Sequence, residues 1–153
     1  MDRIESKKEL LYSDISEAII GCCFEIIREL GAGFLENVYK NALFIAMRQK
    51  GLNVLAEQPF EVMFRNRKVG KYVADLIVEN AIVVELKCCT TLLPEHKAQV
   101  INYLKASGIS VGLLVNFGQQ KLEYKRLHHP DRLDGTEKLR QEIHSLVGSN
   151  EQS

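Results

Sequence analysis

Val73-Ala74-Asp75-Leu76-Ile77-Val78-Glu79-Asn80-Ala81-Ile82-Val83-Val84-Glu85-Leu86-Lys87 consists of two runs rich in Val, Ile and Leu, joined by a short break at Glu79-Asn80-Ala81. That pattern predicts a hairpin of two buried strands. Set into the apolar runs are one aspartate, one glutamate and one lysine, whose burial is costly unless they are paired or bind a metal. Side chains alternate along a strand, so Glu85 and Lys87 share one face while Val84 and Leu86 share the other. A three-residue loop at Glu79-Asn80-Ala81 would place Asp75 directly across from Glu85 on that same face. A two-residue loop would put the carboxylates on opposite faces. Asn80 tolerates the left-handed backbone that a bulged three-residue hairpin needs, which favours the longer loop. Two carboxylates and a lysine so placed can hold a divalent cation and position a water or a phosphate. The competing reading is a strand that ends at Glu85 with its charges solvated.

The composition of the whole chain is that of an ordinary soluble globular protein. The chain has 153 residues, 46% hydrophobic and 26% charged, enough for one domain with a sizeable core. Twenty Lys and Arg balance twenty Asp and Glu, so bulk charge gives no support to nucleic-acid binding and any basic surface must be local. No apolar run approaches a membrane span and the first residues have no signal-peptide pattern, so no membrane partner and a cytoplasmic location are expected. The four cysteines form two adjacent pairs, Cys22-Cys23 and Cys88-Cys89, without the spacing of a zinc or iron–sulfur site. They read as small buried apolar residues.

Residues 1–12 are charged and read as a flexible leader. Ser13 or Asp14 can cap a first helix, with Glu17 completing a capping box, and Gly31-Ala32-Gly33 stops it. A second helix spans about Leu35 to Lys50, and its crowded apolar positions suggest that it is largely packed into the domain. A strand follows from Val54 to Arg65, with Pro59 pointing to an edge or a bulge. Asn66 to Gly70 reads as the turn into the hairpin. Pro94 opens a helix that reaches Ser107 before Gly108. Strands at Ile109–Phe117 and Lys121–Leu127 complete the pattern, and residues 128–153 read as an extension, partly helical (Leu139, Ile143, Leu146, Val147) or disordered. The expected fold is a single α/β or α+β domain over 13–127, a mixed central sheet flanked by helices.

Asp75 followed by Glu85-x-Lys87 on the next strand resembles the core of the PD-(D/E)XK nuclease superfamily, with Ala74 where the signature has proline. Gly33-x-x-Glu36-x-x-Tyr39 matches the motif for which the GxxExxY family is named. Gln99-x-x-x-Tyr103 resembles the QxxxY motif of RecB-like exonucleases. Each helical pair, Glu36 with Tyr39 and Gln99 with Tyr103, shares one face of its helix and can turn towards the hairpin. The resemblance implies a restriction-endonuclease-like fold and metal-assisted hydrolysis of phosphodiesters, taken as those of DNA, with Mg²⁺ or Mn²⁺. It assigns Asp75, Glu85, the Leu86 carbonyl and Glu36 to the metal, and Lys87 to the attacking water or the developing charge. Gln99 would position Lys87 or substrate, with Tyr103 and Tyr39 in support, Tyr39 on the substrate side. Arg65, Arg67, Lys68 and Lys71, and separately Lys121, Lys125, Arg126, His128 and His129, form local basic clusters able to meet phosphates, and Arg67 and Lys68 are the chosen substrate contacts. The alternatives are a catalytically silent module binding nucleic acid or protein, and a small regulatory protein whose charged face is an interaction surface. Monomer and homodimer both stay open.

Overall fold

The computed structural model of the chain describes residues 12–131. Eight elements follow in the order that the pattern predicts. They are helices α1 (Ser13–Leu30) and α2 (Glu36–Gln49), strands β1 (Val54–Phe64), β2 (Arg67–Val78) and β3 (Ile82–Lys87), helix α3 (Pro94–Ser107), and strands β4 (Val111–Asn116) and β5 (Glu123–His128). The strands make one mixed sheet ordered β1-β2-β3-β4-β5, in which β3 and β4 are parallel and the other neighbours antiparallel. This is a single α+β domain. Most of the expected leader (1–11) and the helical pattern at Leu139 to Val147 lie outside the described residues.

The parallel pair is the buried centre. Helices cover both its faces, which is why β3 and β4 are continuously apolar where they are deepest. On one face α1 and α2 pack Ile19, Cys22, Leu43 and Met47 against Leu76, Val84, Leu86 and Leu113. On the other, α3 sets Val100, Tyr103 and Leu104 against Ile77, Val83 and Leu114. Cys22 and Cys23 fill core as expected, whereas Cys88 and Cys89 are only half-buried, because they sit on the loop beyond the end of β3.

Several local expectations are corrected. The first helix has neither the Ser13 nor the Asp14 cap: Tyr12 takes a left-handed backbone (φ 60°) and its carbonyl accepts the Ser16 N–H at 2.8 Å. Helix α2 is not largely packed inside. Only Tyr39, Leu43 and Met47, spaced by four, are buried, while Leu35 is 82% and Ile45 56% exposed. Pro59 does lie in an edge strand, opposite Val73. The β1–β2 turn is only Arg65-Asn66, both with positive φ (49° and 62°), so Arg67 and Lys68 belong to β2 rather than to a loop.

Two devices fix the chain at the end of the sheet where β3 and β4 finish. Gly31 (φ 70°) and Gly33 (φ 114°) bend the chain between α1 and α2. Tyr39, fully buried and stacked on Phe117 at 4.9 Å, clamps that bend: its hydroxyl donates to the Gly31 carbonyl at 2.6 Å and accepts the Phe34 N–H at 3.2 Å. Across the sheet end, the buried Asn116 side chain accepts from Cys89 N–H (3.0 Å) and Gly118 N–H (2.9 Å). Its amide nitrogen donates to the Cys89 carbonyl (2.9 Å) and to Glu123 (3.2 Å). Gly118 passes so close to this loop that a Cβ there would lie 2.2 Å from the Cys89 carbonyl oxygen.

Gly118→Ala forces backbone to move, so it should destabilise by about 1–3 kcal/mol, several degrees of Tm. Gly70→Ala, where an added Cβ meets nothing within 4 Å, should stay within about 0.5 kcal/mol in the same thermal melt. Tyr39→Phe strands a part-buried carbonyl while keeping the ring stack, and should cost about 1–2 kcal/mol.

Candidate active site

The hairpin carries the register that the longer loop predicts. Leu76 pairs with Val84, Ile77 with Val83 and Val78 with Ile82, leaving Glu79-Asn80-Ala81 as the loop. Glu79 and Asn80 both take left-handed backbone (φ 54° and 51°), and the Ala81 N–H closes the turn on the Val78 carbonyl at 3.0 Å. A glutamate in that conformation is strained. Here the Glu79 N–H donates to the Asn53 carbonyl at 2.9 Å and its carboxylate accepts the Asn53 N–H at 2.7 Å, holding it in place.

One step beyond Leu76 and Val84 the ordinary ladder stops and the carboxylates take over. The Asp75 N–H donates to Glu85 Oε1 at 3.0 Å, and the Leu86 N–H donates to Asp75 Oδ2 at 2.9 Å. Each acid thus accepts a backbone amide from the opposite strand. One oxygen of each is committed, and the other is left to a shared proton or a cation. Glu85 is 5% exposed, and burial first, then the Asp75 charge, holds its carboxyl well above the usual carboxylate range. Val83 packs under α3, so alternation sends Glu85 and Lys87 to that same side of β3.

A kink in β2 lies beside the carboxylates. Ala74 and Ile77, three apart, both pack on the α3 side, so β2 changes the side it presents around Asp75. On β1 the pairs Ala56–Leu76 and Gln58–Ala74 bracket Glu57, opposite Asp75, and Glu57 carries a left-handed backbone at φ 53°. Beyond the kink β1 and β2 continue as a two-stranded ribbon, with no third strand beside it among the described residues.

Helix α2 delivers Glu36 from its first turn. Burial, then the charge of Asp75, raises its pKa, while Lys87, Lys40 and His96 pull it back. Those causes put four charged or titratable groups around Glu36. Lys40 and His96 were missed by sequence reasoning. Lys40 follows Glu36 by four and His96 precedes Gln99 by three, so helical spacing could have found both. Lys40 donates to Glu57 at 2.8 Å, which raises the lysine pKa and lowers that of Glu57. Nothing in the sequence marks Glu57, whose role depends on the kink.

Other expected residues are placed apart from this group. Tyr39 has no exposed surface and is a clamp of the α1–α2 bend, so it cannot lie on the substrate side. Tyr103 is buried, with its ring edge-on to Phe60 and its hydroxyl donating to the Gln58 carbonyl at 3.1 Å; burial and then the Glu85 charge push its pKa up. It supports the β1 strand beside the kink. Gln99 lies on the exposed side of α3 and, among the described residues, makes no hydrogen bond to Lys87. Arg67 and Lys68 stand on the ribbon, about 25 Å of strand from Asp75, and Lys68 faces Glu61 at 3.4 Å. Leu86 keeps its side chain in the opposite core while its backbone lies between Glu85 and Lys87.

The donor set suits a hard divalent cation. Asp75 and Glu85 offer carboxylate oxygens from adjacent strands, and the crowding of Asp75 with Glu85 and with Glu36 is a like-charge repulsion that a cation would relieve. Among the described residues no three acidic, His or Cys side chains close on one point. No described helix is long and apolar enough to cross a membrane.

The fold agrees with that of the crystal structure of SSO0001, which is 20% identical with a TM-score of 0.52; the match covers 92% of this chain and 70% of that one. An alkaline exonuclease (LHK-Exo) from Laribacter hongkongensis also matches, at 15% identity and a TM-score of 0.47, covering 76% and 71%. No curated protein sequence gives a significant match. The family model that matches residues 13–127, from the start of α1 to the last but one residue of β5, is that of the PD-(D/E)XK nuclease superfamily, and the chain belongs to that superfamily.

Proposed function

We propose that the chain is a divalent-cation-dependent nuclease that hydrolyses DNA phosphodiesters at Asp75, Glu85 and Lys87, with Mg²⁺ or Mn²⁺ as its cation. The observation that carries this reading is the opposed carboxylate pair: Asp75 and Glu85 each hold one oxygen on a cross-strand amide, with Lys87 leaving the same side of β3 as Glu85. Superfamily membership supports it. When bound, the cation supplies an activated water and neutralises charge on the scissile phosphate. Asp75, Glu85 and the Leu86 carbonyl would hold it, and Glu36 would act on it directly or through a water. Lys87 places its ammonium at the attacking water or at the developing charge. Gln99, on the exposed side of α3, would meet substrate rather than Lys87. The reading includes the GxxExxY branch, supported by the spacing of Gly33, Glu36 and Tyr39, with Tyr39 serving the bend that aims Glu36.

The direct test is incubation of the protein with single-stranded, duplex and branched DNA, and with RNA of the same sequence, in Mg²⁺ or Mn²⁺ and in EDTA. Cleavage of RNA alone would remove DNA from the reading; no cleavage of any substrate would remove the activity.

Relief of carboxylate crowding should be visible without any substrate. At 100 times its dissociation constant, a cation should add about 2.7 kcal/mol, or about 5–10 °C of Tm at this size. Asp75→Asn keeps the shape and an acceptor for the Leu86 N–H. It should melt at or above wild type in EDTA and lose most of the cation-induced shift. An unchanged wild-type Tm in millimolar Mg²⁺ and Mn²⁺ would contradict the site.

Lys87→Ala should separate binding from chemistry. The lysine serves water and phosphate rather than the cation, so the cation-induced Tm shift should persist while kcat falls about 10²–10³-fold. Wild-type turnover in that variant would rule out its role.

A further inference from the structure

The register of the sheet carries the site sideways to its far edge. Lys87 lies beside Asn116, and Asn116 beside Glu123; Glu85 lies beside Leu114, and Leu114 beside Lys125. Residues opposed in a ladder leave the sheet on the same face, so Lys125 shares the face of Glu85 two strand spacings away, about 10 Å. Next to it is a surface pocket of about 520 Å³, lined by Thr90, Gln119, Lys121, Glu123, Tyr124 and Lys125 among others. The Cys88–Thr90 loop separates pocket from carboxylates, and the Cys89 thiol responds to charges on both sides, Glu123 on one and Lys87 and Glu36 on the other.

The pocket has the chemistry of a nucleic-acid strand path. Glu123 is turned inwards: its carboxylate accepts Leu92 N–H (2.8 Å), the Asn116 amide (3.2 Å) and the Thr91 hydroxyl (3.3 Å), which holds it below the usual carboxylate range. Lys121 and Lys125 remain exposed at the rim. Tyr124 is 44% exposed with its ring braced edge-on by Phe24, centroids 6.3 Å apart. Lysines spaced around a fixed, exposed aromatic ring are the elements that hold phosphates and stack unpaired bases. The strand edge helps, because Tyr124 and Lys125 leave β5 on opposite sides and β5 has no further neighbour among the described residues. The ribbon cluster competes poorly for this role: Lys68 faces Glu61, and Arg67 stands about 25 Å of strand from Asp75.

We propose that β5 and the Thr90 loop form a groove for the single-stranded flank of the nucleic acid that is cut at Asp75 and Glu85, with phosphates on Lys121 and Lys125 and one base on Tyr124. The proposal deepens the nuclease reading and rests on it for the identity of the bound polymer.

The test is binding rather than cleavage, in EDTA, by fluorescence anisotropy of a labelled twelve-residue oligothymidylate at several salt concentrations. Lys121→Gln/Lys125→Gln should weaken binding about tenfold or more and flatten the slope of log K against log salt by about 1.4, at about 0.7 per phosphate lost. Tyr124→Ala should weaken it about tenfold and Tyr124→Phe should restore it, since stacking needs only the ring. Lys105→Gln, near the far end of α3, should leave the slope unchanged. An unchanged slope in the double variant at wild-type Tm, an equal loss from Lys105→Gln, or no wild-type binding would each overturn the groove. Lysine-dependent binding by a protein that cuts nothing in Mg²⁺ would uphold the groove and count against the nuclease reading alone.

Discussion

Two carboxylates standing in for a stretch of β-ladder are the constraint on which the rest depends. Past Leu76 and Val84 the strands β2 and β3 no longer exchange backbone bonds; Asp75 and Glu85 each take the amide offered by the other strand. An unpaired buried amide costs about 1–3 kcal/mol, so these acids hold the hairpin together at the point where it opens. They also gather negative charge in a place that burial makes hostile to it, and Glu85 answers by holding its proton more tightly. The same two bonds thus create a scaffold and a demand for positive charge. A cation taking the uncommitted oxygens would satisfy the second without disturbing the first.

The surroundings follow from that demand. Positive groups arrive from two elements, Lys87 from β3 and Lys40 from α2, and Glu36 feels both, as it does His96 of α3. Lys40 is drawn aside by Glu57, whose left-handed backbone is part of the kink that turns the ribbon away. Helix α2 could not serve this purpose if it were sunk in the core. Its stripe of Tyr39, Leu43 and Met47 anchors it, while its first turn stays at the mouth of the site.

Much of this was legible in the chain, for identifiable reasons. Alternating and continuous apolar runs gave every element in order, because burial on one or two faces imposes those periods. The loop at Glu79-Asn80-Ala81 decided the register of Asp75 against Glu85, and Asn80 was sufficient to choose its length. Strict alternation failed at the kink: nothing local says that Ala74 and Ile77 would face the same helix, so Glu57 went unseen. Tyr39 was misplaced because a motif residue and a core residue look alike on one helix face; only the Gly31 and Phe34 bonds distinguish them. Helix α2 was read as too buried because apolar content alone does not say which third of a helix touches the sheet.

The ribbon formed by β1 and β2 has a consequence for how the domain breathes. Its outer half leans on a single partner strand, and Met63, Phe64 and Val69 stand in solvent, Val69 with 62% of its surface exposed. Strands β3 and β4, by contrast, are sealed between helices. Amide protons should therefore exchange through two regimes, by local fraying near Arg65 and Asn66 and by global unfolding along Val84 and Leu114. Asp75 lies at the boundary between them, where the end of a pliable arm meets a rigid slab.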